Sequence, residues 1–234
     1  VFYSGNNKSF PTISHAKGLY MWDTENKKYF DASSGPVATN LGHGNSNVLE
    51  AMKLQSEKVC FASYSVFENE PNKTLAKNLV GLAGPNFDQA FIVSGGSEAT
   101  EAAIKLARQY FVEIDETQRR HLIARQQSYH GNTIGALSAG GNELRKRQFA
   151  PLLVDVSHIA PCYEYTLRAE GESAVEYGLR AAQELEDEIL RLGPETVMAF
   201  MAEPVVGATL GAVPAVEGYF KRIREICDQY GVLL

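Results

Sequence analysis

The sequence predicts an α/β protein in which a mostly parallel sheet is flanked by helices. From about residue 90 onward, short apolar runs alternate with longer segments of helical periodicity, an order typical of parallel sheets with crossover helices. The apolar runs are nearly continuous, as in TVMAFMAEP at 196–204, which is typical of strands buried on both faces. Apolar residues follow one helical face of Ser173–Leu192, so this segment predicts a long amphipathic helix packed on such a sheet.

The first part of the chain has a different pattern. Residues 18–31, GLYMWDTENKKYFD, predict a hairpin because two aromatic-rich runs flank a polar turn. A loop of small and turn-forming residues is predicted at 33–45. Helical spacing then predicts helices over 46–59 and Asn72–Leu82. We therefore expect this hairpin-and-helix segment to be a small N-terminal part of the fold.

Beyond residue 90 the predicted elements alternate. Strands are predicted at Ala90–Val93, His121–Ala124, Val154–Ile159 and 196–204. Helices are predicted at Glu98–Val112, in the stretch after Gly131, at Ser173–Leu192 and at Glu217–Tyr230. The final VLL predicts the start of another buried strand, and we expect the chain to continue beyond Leu234 because such a strand needs neighbours.

Composition narrows the classes of partner. The 234 residues carry a formal net charge of −6 at pH 7, which disfavours nucleic acid or an anionic membrane surface as the main partner. No apolar stretch reaches the ~18–20 residues of a membrane span. The three cysteines, Cys60, Cys162 and Cys227, form no CxxC pair and no disulfide framework. We therefore predict a reducing, cytoplasmic compartment and no metal site.

The stretch SGGSEATEAAIKLAR at 94–108 joins an apolar run to a helix. A helix start exposes unpaired N–H groups and a partial positive charge. Gly95 and Gly96 allow close approach of the backbone and Ser97 adds a hydroxyl, so the turn suits a phosphate group. The alternative is that Ser94 or Ser97 simply caps the helix. The stretch matches neither GxGxxG nor a P-loop, which disfavours the common nucleotide-binding turns.

Two further segments follow predicted strands. In QSYHGNTIGALSAG at 127–140, Tyr129 offers a flat ring for stacking and Gly131 permits a tight turn. The alternative is a loop with a partly buried Tyr–His pair. In MAEPVVG at 201–207, Glu203 ends a very apolar strand, and a carboxylate there needs a partner if it is buried. The alternative is a structural glutamate at a strand end.

Together these segments resemble those of the class III, or omega-type, aminotransferases, which depend on pyridoxal 5′-phosphate (PLP) and have the fold-type I architecture. The resemblance runs from about Gly18 to Leu234. It is carried, in this order, by GLYMWDTENKKYFDASSG, NLGHGN, FENEP, SGGSEATEAAIKLAR, YHGNT, AEPVVG and GYFKRIREICDQYGVLL. It implies that residues 1–65 contribute to a small domain and that residues 66–234 form the first part of a large PLP-binding domain.

The resemblance also implies roles for residues of the two loops. Gly96 and Ser97 would bind the PLP phosphate at the helix start. Tyr129 would stack on the pyridine ring. His130 and Gly131 would shape the wall beside the ring, and for His130 packing is favoured over a role as general acid.

The remaining implied contacts are more scattered. Glu203 would lie near the 3′ oxygen of the ring and near the aspartate that holds the pyridine nitrogen. The substrate side would be lined by Trp22 or Tyr20 together with Ser34, Gly35 and Pro36. Similar enzymes build the active site across a homodimer interface, so a homodimer is implied.

No catalytic residue is expected within this chain. By the resemblance, the ring-nitrogen aspartate and the Schiff-base lysine lie beyond Leu234, and Lys105 and Lys221 are interpreted as residues of solvated helix faces. Some 4-aminobutyrate aminotransferases carry an arginine directly after YHG. That position is Asn132 here, which argues against a carboxylate clamp at this point.

The resemblance predicts the reaction class of the whole protein. An amino group would move from an amine or ω-amino acid to a keto acid such as pyruvate or 2-oxoglutarate. An aminomutase or decarboxylase of the same family is one alternative. A truncated, non-catalytic domain that only binds or associates is the other.

Overall fold

The structure is a computed structural model that describes residues 10–234. The first nine residues of the predicted small-domain segment 1–65 lie outside the described residues. The chain divides into two compact units, one ending at Ala90 and the other running from Phe91 to Leu234. The predicted domain boundary between residues 65 and 66 concerns the architecture of the whole fold, and it stays a prediction.

The first unit opens with a three-stranded antiparallel sheet in the order β1-β2-β3. Its strands are β1 (Ile13–Lys17), β2 (Tyr20–Asp23) and β3 (Lys28–Phe30). The predicted hairpin is confirmed as β2 and β3, whose polar turn is closed by the side chain of Asp23. The Asp23 carboxylate accepts hydrogen bonds from the backbone N–H groups of Glu25 and Lys27, and a third from the Tyr29 hydroxyl at 2.7 Å.

Three helices complete the first unit, namely α1 (Ser34–Val37), α2 (Ser46–Ser56) and α3 (Glu70–Ala83). The two longer helices begin at asparagines whose side chains accept hydrogen bonds from first-turn amides. The predicted loop at 33–45 contains α1, which is a single short turn. No residue of α2 or α3 is buried, so the amphipathic pattern of both helices has no covering partner among residues 10–234.

The second unit is built on a parallel sheet in which β4 (His121–Arg125) lies between β5 (Ser157–Ile159) and β6 (Val197–Phe200). Beyond β6, Leu233 forms an isolated parallel bridge with Ala199. A small antiparallel pair, β7 (Val205–Val206) and β8 (Val213–Pro214), follows β6. The predicted mostly parallel sheet is therefore confirmed.

Helices cover both faces of this sheet. They are α4 (Gly96–Glu113), α5 (Ile134–Ala139), α6 (Glu143–Lys146), α7 (Glu164–Leu167), α8 (Ala174–Leu192) and α9 (Tyr219–Tyr230). Within β4, Ile123 packs into a core with α8 and α9, whereas its neighbour Leu122 packs with α4. This alternation places each strand between two apolar layers. Among residues 10–234, no helix combines the length and apolarity needed to cross a membrane.

One predicted strand is wrong. Residues Ala90–Val93 adopt no strand or helix, and Phe91 is 74% exposed. A strand exists only when its backbone groups pair with a neighbour, and this segment pairs with no other strand among the described residues.

Candidate active site

Helix α4 begins without a side-chain cap. Its N-cap residue is Gly95, and neither Ser94 nor Ser97 caps the helix. No heavy atom lies within 4 Å of the position where a Cβ of Gly95 or Gly96 would stand, so the space beside the first turn is open. Uncapped first-turn N–H groups in open space attract an anion.

Three hydrogen bonds, which we name the α4 clasp, join the start of α4 to the loop after β4 and to the first turn of α5. They run from Asn132 N to Ser97 Oγ (2.9 Å), from Thr100 Oγ1 to His130 O (2.8 Å) and from Ala136 N to Glu101 Oε1 (3.2 Å). The sequence separation is 30 to 35 residues. Folding therefore brings together two of the three predicted site segments, the Gly-Ser turn and the Tyr-His-Gly loop.

Gly131 permits the close approach of these two segments. Its φ of +143° lies in a region that residues with a Cβ rarely adopt. A Cβ at this position would lie 2.6 Å from Ser97 Oγ and 2.8 Å from Ala136 Cβ. Glycine is thus required here both by the backbone conformation and by the space available.

Tyr129 presents its ring at the surface of this loop. The side chain is 44% exposed, and the guanidinium carbon of Arg145 lies 4.9 Å from the ring centroid. The backbone N–H of Tyr129 faces Glu203 Oε2 at 3.4 Å. The third predicted segment therefore also reaches the loop, through the carboxylate of Glu203.

Glu203 follows β6 and is held through its main chain by a buried arginine. Arg125, at the end of β4, is 1% exposed and donates a hydrogen bond from Nη2 to the Glu203 carbonyl. Its guanidinium lies 5.8 Å and 5.7 Å from the ring centroids of Tyr219 and Phe220. Among the described residues Arg125 forms no ion pair, so a nearly unexposed cation stands beneath the loop that carries Glu203.

His130 is neutral at neutral pH. Burial lowers the pKa of His130 to about 4, assisted by the charge of Arg125 and by the neighbouring His158. Its Nε2 atom is buried and has no hydrogen-bond partner among residues 10–234. A neutral ring with a buried nitrogen is poorly suited to donate a proton, and the packing role of His130 stays a prediction.

The residues predicted for the substrate side belong to the first unit. Trp22 lies in β2 and stacks on His15 with a centroid distance of 4.9 Å, and Tyr20 in the same strand faces Lys28 Nζ at 3.7 Å. In α1, the Ser34 hydroxyl donates to Thr39 Oγ1 at 2.6 Å. Gly35 has φ +61°, and Pro36 belongs to the same short helix.

The residues of the second unit fit a phosphorylated aromatic cofactor. An open, uncapped helix start lies at one end of the α4 clasp and an exposed aromatic ring at the other. Lys105 and Lys221 are exposed on α4 and α9, outside this group. Among residues 10–234, no cluster of three or more His, Cys, Asp or Glu side chains is arranged to hold a metal ion.

A protein-family model described as aminotransferase class-III matches residues 2–234. The chain belongs to the class-III aminotransferases. An uncharacterized aminotransferase of Schizosaccharomyces pombe is 46% identical over 234 residues, which are 100% of this chain and 51% of that protein. Putrescine–pyruvate aminotransferase of Pseudomonas aeruginosa is 34% identical over 97% of this chain and 50% of its own length.

Solved structures of class-III relatives share the fold. An omega-aminotransferase from Paracoccus denitrificans matches 100% of this chain and 53% of its own, with a TM-score of 0.92 and 26% identity. An omega transaminase from Pseudomonas jessenii in complex with PMP matches 95% of this chain and 49% of its own, with a TM-score of 0.90 and 28% identity. The chain spans about half the length of the relatives it matches.

Sequence reasoning missed two arginines of this class-III chain. Arg125 closes the apolar run HLIAR, and a cation at the end of a buried strand was the available signal. Arg145 lies in a short basic stretch that suggests only a solvated surface. Its contact with Tyr129 depends on the course of the intervening chain, which no local pattern specifies.

Proposed function

We propose that the whole protein to which this chain belongs transfers an amino group from an amine or ω-amino acid to a keto acid such as pyruvate or 2-oxoglutarate, using PLP. The α4 clasp carries this proposal. It joins a helix start that can accept an anion with a loop that presents an exposed aromatic ring. Membership of the class-III family supports the same cofactor and reaction class.

Each group of the second unit has a distinct role in this proposal. The N–H groups of Gly96 and Ser97 bind the phosphate, with the helix dipole favouring its negative charge. Tyr129 stacks on the pyridine ring, and His130 and Gly131 form the adjacent wall. PLP supplies the electron sink for the amino transfer. The protein residues hold and orient it and exclude water from its ring.

Glu203 would lie near the 3′ oxygen of the ring, and its main-chain carbonyl accepts a hydrogen bond from Arg125. The assignment of Trp22, Ser34, Gly35 and Pro36 to the substrate side stays a prediction. The reactive lysine and the aspartate at the ring nitrogen belong to the part of the protein outside this chain, which is consistent with its coverage of about half of its relatives.

Borohydride reduction of the full-length protein tests cofactor attachment. We expect the intact mass to increase by one reduced pyridoxyl-phosphate group per chain when PLP is present. Protein treated without PLP is the control. Peptide mapping should locate the adduct outside residues 1–234. Failure to form any adduct would contradict the proposed attachment, and modification of Lys105 or Lys221 would contradict their assignment to solvated faces.

Product analysis tests the reaction class. We expect the full-length enzyme to form alanine from pyruvate, or glutamate from 2-oxoglutarate, in step with loss of the amine donor. Migration of the amino group within a single substrate would indicate an aminomutase instead, and release of carbon dioxide would indicate a decarboxylase. A protein that binds PLP but converts no substrate would support the non-catalytic alternative.

Two substitutions at Tyr129 test the stacking role. Tyr129→Ala should weaken PLP affinity about three- to tenfold, since an aromatic pair contributes about 0.5–1.5 kcal/mol beyond its buried area. Tyr129→Phe keeps the ring and should bind PLP nearly as well as the wild type. Equal affinity of both variants would remove the basis for stacking.

Assembly and compartment complete the proposal. We infer a homodimer with the active site at its interface, which the exposed apolar residues of α2 and α3 support, among them Leu49, Met52 and Leu82. A reducing, cytoplasmic compartment is supported by three free cysteines. Burial raises the pKa of the Cys227 thiol to about 11, so this group stays protonated.

A further inference from the structure

A groove lies beside Tyr129 on the side of α6. We name it the Tyr129 groove, and its lining includes Tyr129, Asn132, Leu144, Arg145, Gln148 and Phe149. It encloses about 280 Å³ and combines apolar walls with one positive charge. Such a lining suits a small molecule with a short hydrocarbon chain and a charged end.

Arg145 is free to bind an anion there. Among residues 10–234 its guanidinium contacts the Tyr129 ring at 4.9 Å but forms no ion pair or side-chain hydrogen bond. The guanidinium carries five N–H donors in a planar fork. With no other polar partner for its side chain among these residues, Arg145 can form two parallel hydrogen bonds to a carboxylate.

The neighbouring charged groups do not compete for this role. Lys146 donates from Nζ to the carbonyl of Ser138 at 3.2 Å, and burial lowers its pKa. Asn132, which stands directly after Tyr-His-Gly, is neutral, and its backbone N–H is already bound to Ser97. Glu143 lies on the same short helix as Arg145 and does not line the groove. Arg145 therefore supplies the positive charge of the groove.

Arg145 is also coupled to the ring that receives the cofactor. The guanidinium carbon of Arg145 lies 4.9 Å from the centroid of the ring on which the pyridine ring is proposed to stack. The groove places the apolar side chains of Leu144 and Phe149 in the same lining as Arg145, so it offers contacts both to a hydrocarbon chain and to a terminal carboxylate.

We propose that Arg145 is a specificity-determining residue that binds the remote carboxylate of an ω-amino acid donor. The proposal rests on the proposed aminotransferase function and selects among its donors. It places the carboxylate clamp on α6 rather than at position 132. Unsubstituted amines then enter the same site without this contact.

The first test compares donors that differ only in the carboxylate. The full-length enzyme is mixed with 4-aminobutyrate or n-butylamine without acceptor, and the second-order rate constant of the single-turnover donor half-reaction is measured. Arg145→Gln should lower the value for 4-aminobutyrate about tenfold, because a hydrogen bond to a charged group is worth about 1.5–3 kcal/mol and the site is exposed. The value for n-butylamine should change less than about twofold.

Two further variants separate specific from general effects. Arg147→Gln removes the same charge two residues away, outside the groove lining, and should leave both donors unaffected. Arg145→Lys keeps the charge without the planar fork, so it should retain only part of the preference. An equal loss for both donors in Arg145→Gln would overturn the proposal, as would unchanged values for both.

A binding measurement is independent of turnover. Calorimetric titration of the PLP-loaded full-length protein with butyrate should show affinity that falls about tenfold in Arg145→Gln and persists in Arg147→Gln. Equal butyrate affinity in all three proteins would overturn the proposal. If no donor reacts but butyrate binding still depends on Arg145, the aminotransferase function fails and the carboxylate site stands.

Discussion

Replacing Gly131 with alanine should disrupt the junction between the start of α4 and the Tyr129 loop. The added methyl group would lie 2.6 Å from Ser97 Oγ, 2.9 Å from Ser97 Cα and 2.8 Å from Ala136 Cβ. Two of these three atoms, the Ser97 Cα and the Ala136 Cβ, cannot rotate away, because their positions follow the backbone. The neighbouring segments must therefore move apart.

Two effects determine the magnitude. Holding alanine at a φ of +143° costs about 1–3 kcal/mol, which is typical of a sparsely populated backbone region. Forcing a methyl group into filled space costs about 1–3 kcal/mol more. The lower entropy of the unfolded alanine chain offsets about 0.4–1 kcal/mol. We expect a net loss of about 2–4 kcal/mol in the free energy of unfolding.

Gly171→Ala is the matched control. Gly171 also has a positive φ, +80°, but no heavy atom lies within 4 Å of its would-be Cβ. It therefore reports the conformational effect alone, about 1–2 kcal/mol. Urea denaturation of the full-length apoprotein gives the stabilities, and a PLP titration gives the affinities. Gly131→Ala should weaken PLP binding because Ser97 moves, whereas Gly171→Ala should not.

Equal destabilisation by the two substitutions would refute the close approach at Gly131. A second variant keeps the test informative if Gly131→Ala alone fails to fold. Ala136→Gly removes one of the three clashing atoms, so the double variant Gly131→Ala/Ala136→Gly should recover part of the lost stability. The absence of any recovery would mean that Ala136 does not contact this site.

Three further predictions concern the surrounding network. The unfolded chain protonates His130 below about pH 6.5 but the folded protein only near pH 4, so stability should fall by about 3 kcal/mol as pH drops through this window. His130→Gln should flatten that dependence in denaturation measured against pH, and an unchanged slope would contradict the burial of His130. Arg125→Met removes a nearby positive charge, so NMR titration should show a raised pKa of His130; a fixed pKa would contradict this coupling. Ser97→Ala removes the acceptor of the Asn132 amide and should weaken PLP affinity about tenfold in a cofactor titration, whereas an unaltered affinity would count against Ser97 as a phosphate ligand.

The order of elements in the second unit was predictable because its strands are buried on both faces. The run HLIAR carries enough apolar residues to identify β4 from the sequence alone. The failed strand at Ala90–Val93 has a similar apolar pattern. The two segments differ in whether they pair with a neighbouring strand. This pairing is a property of the tertiary structure and is not visible in the local sequence.

The sequence predicted the site segments where their glycine residues mark a turn or a helix start. The turn at Gly131 and the helix start at Gly96 are predictable from the residue type alone. The contacts of Arg125 with Glu203 and of Arg145 with Tyr129 join residues 78 and 16 positions apart. The partners of long flexible side chains depend on where the folded backbone places them, so the sequence pattern does not predict these contacts.

The α4 clasp predicts which backbone amide hydrogens exchange with solvent together. Ala136 N belongs to the first turn of α5, so no carbonyl of its own helix can accept its hydrogen bond, and its acceptor comes from α4. The same holds for the amide of Asn132 in the preceding loop. Both amide hydrogens should therefore exchange with solvent in a single opening event, the detachment of α4. A phosphate bound at the start of α4 would then slow exchange throughout 130–136, including at residues that it never touches.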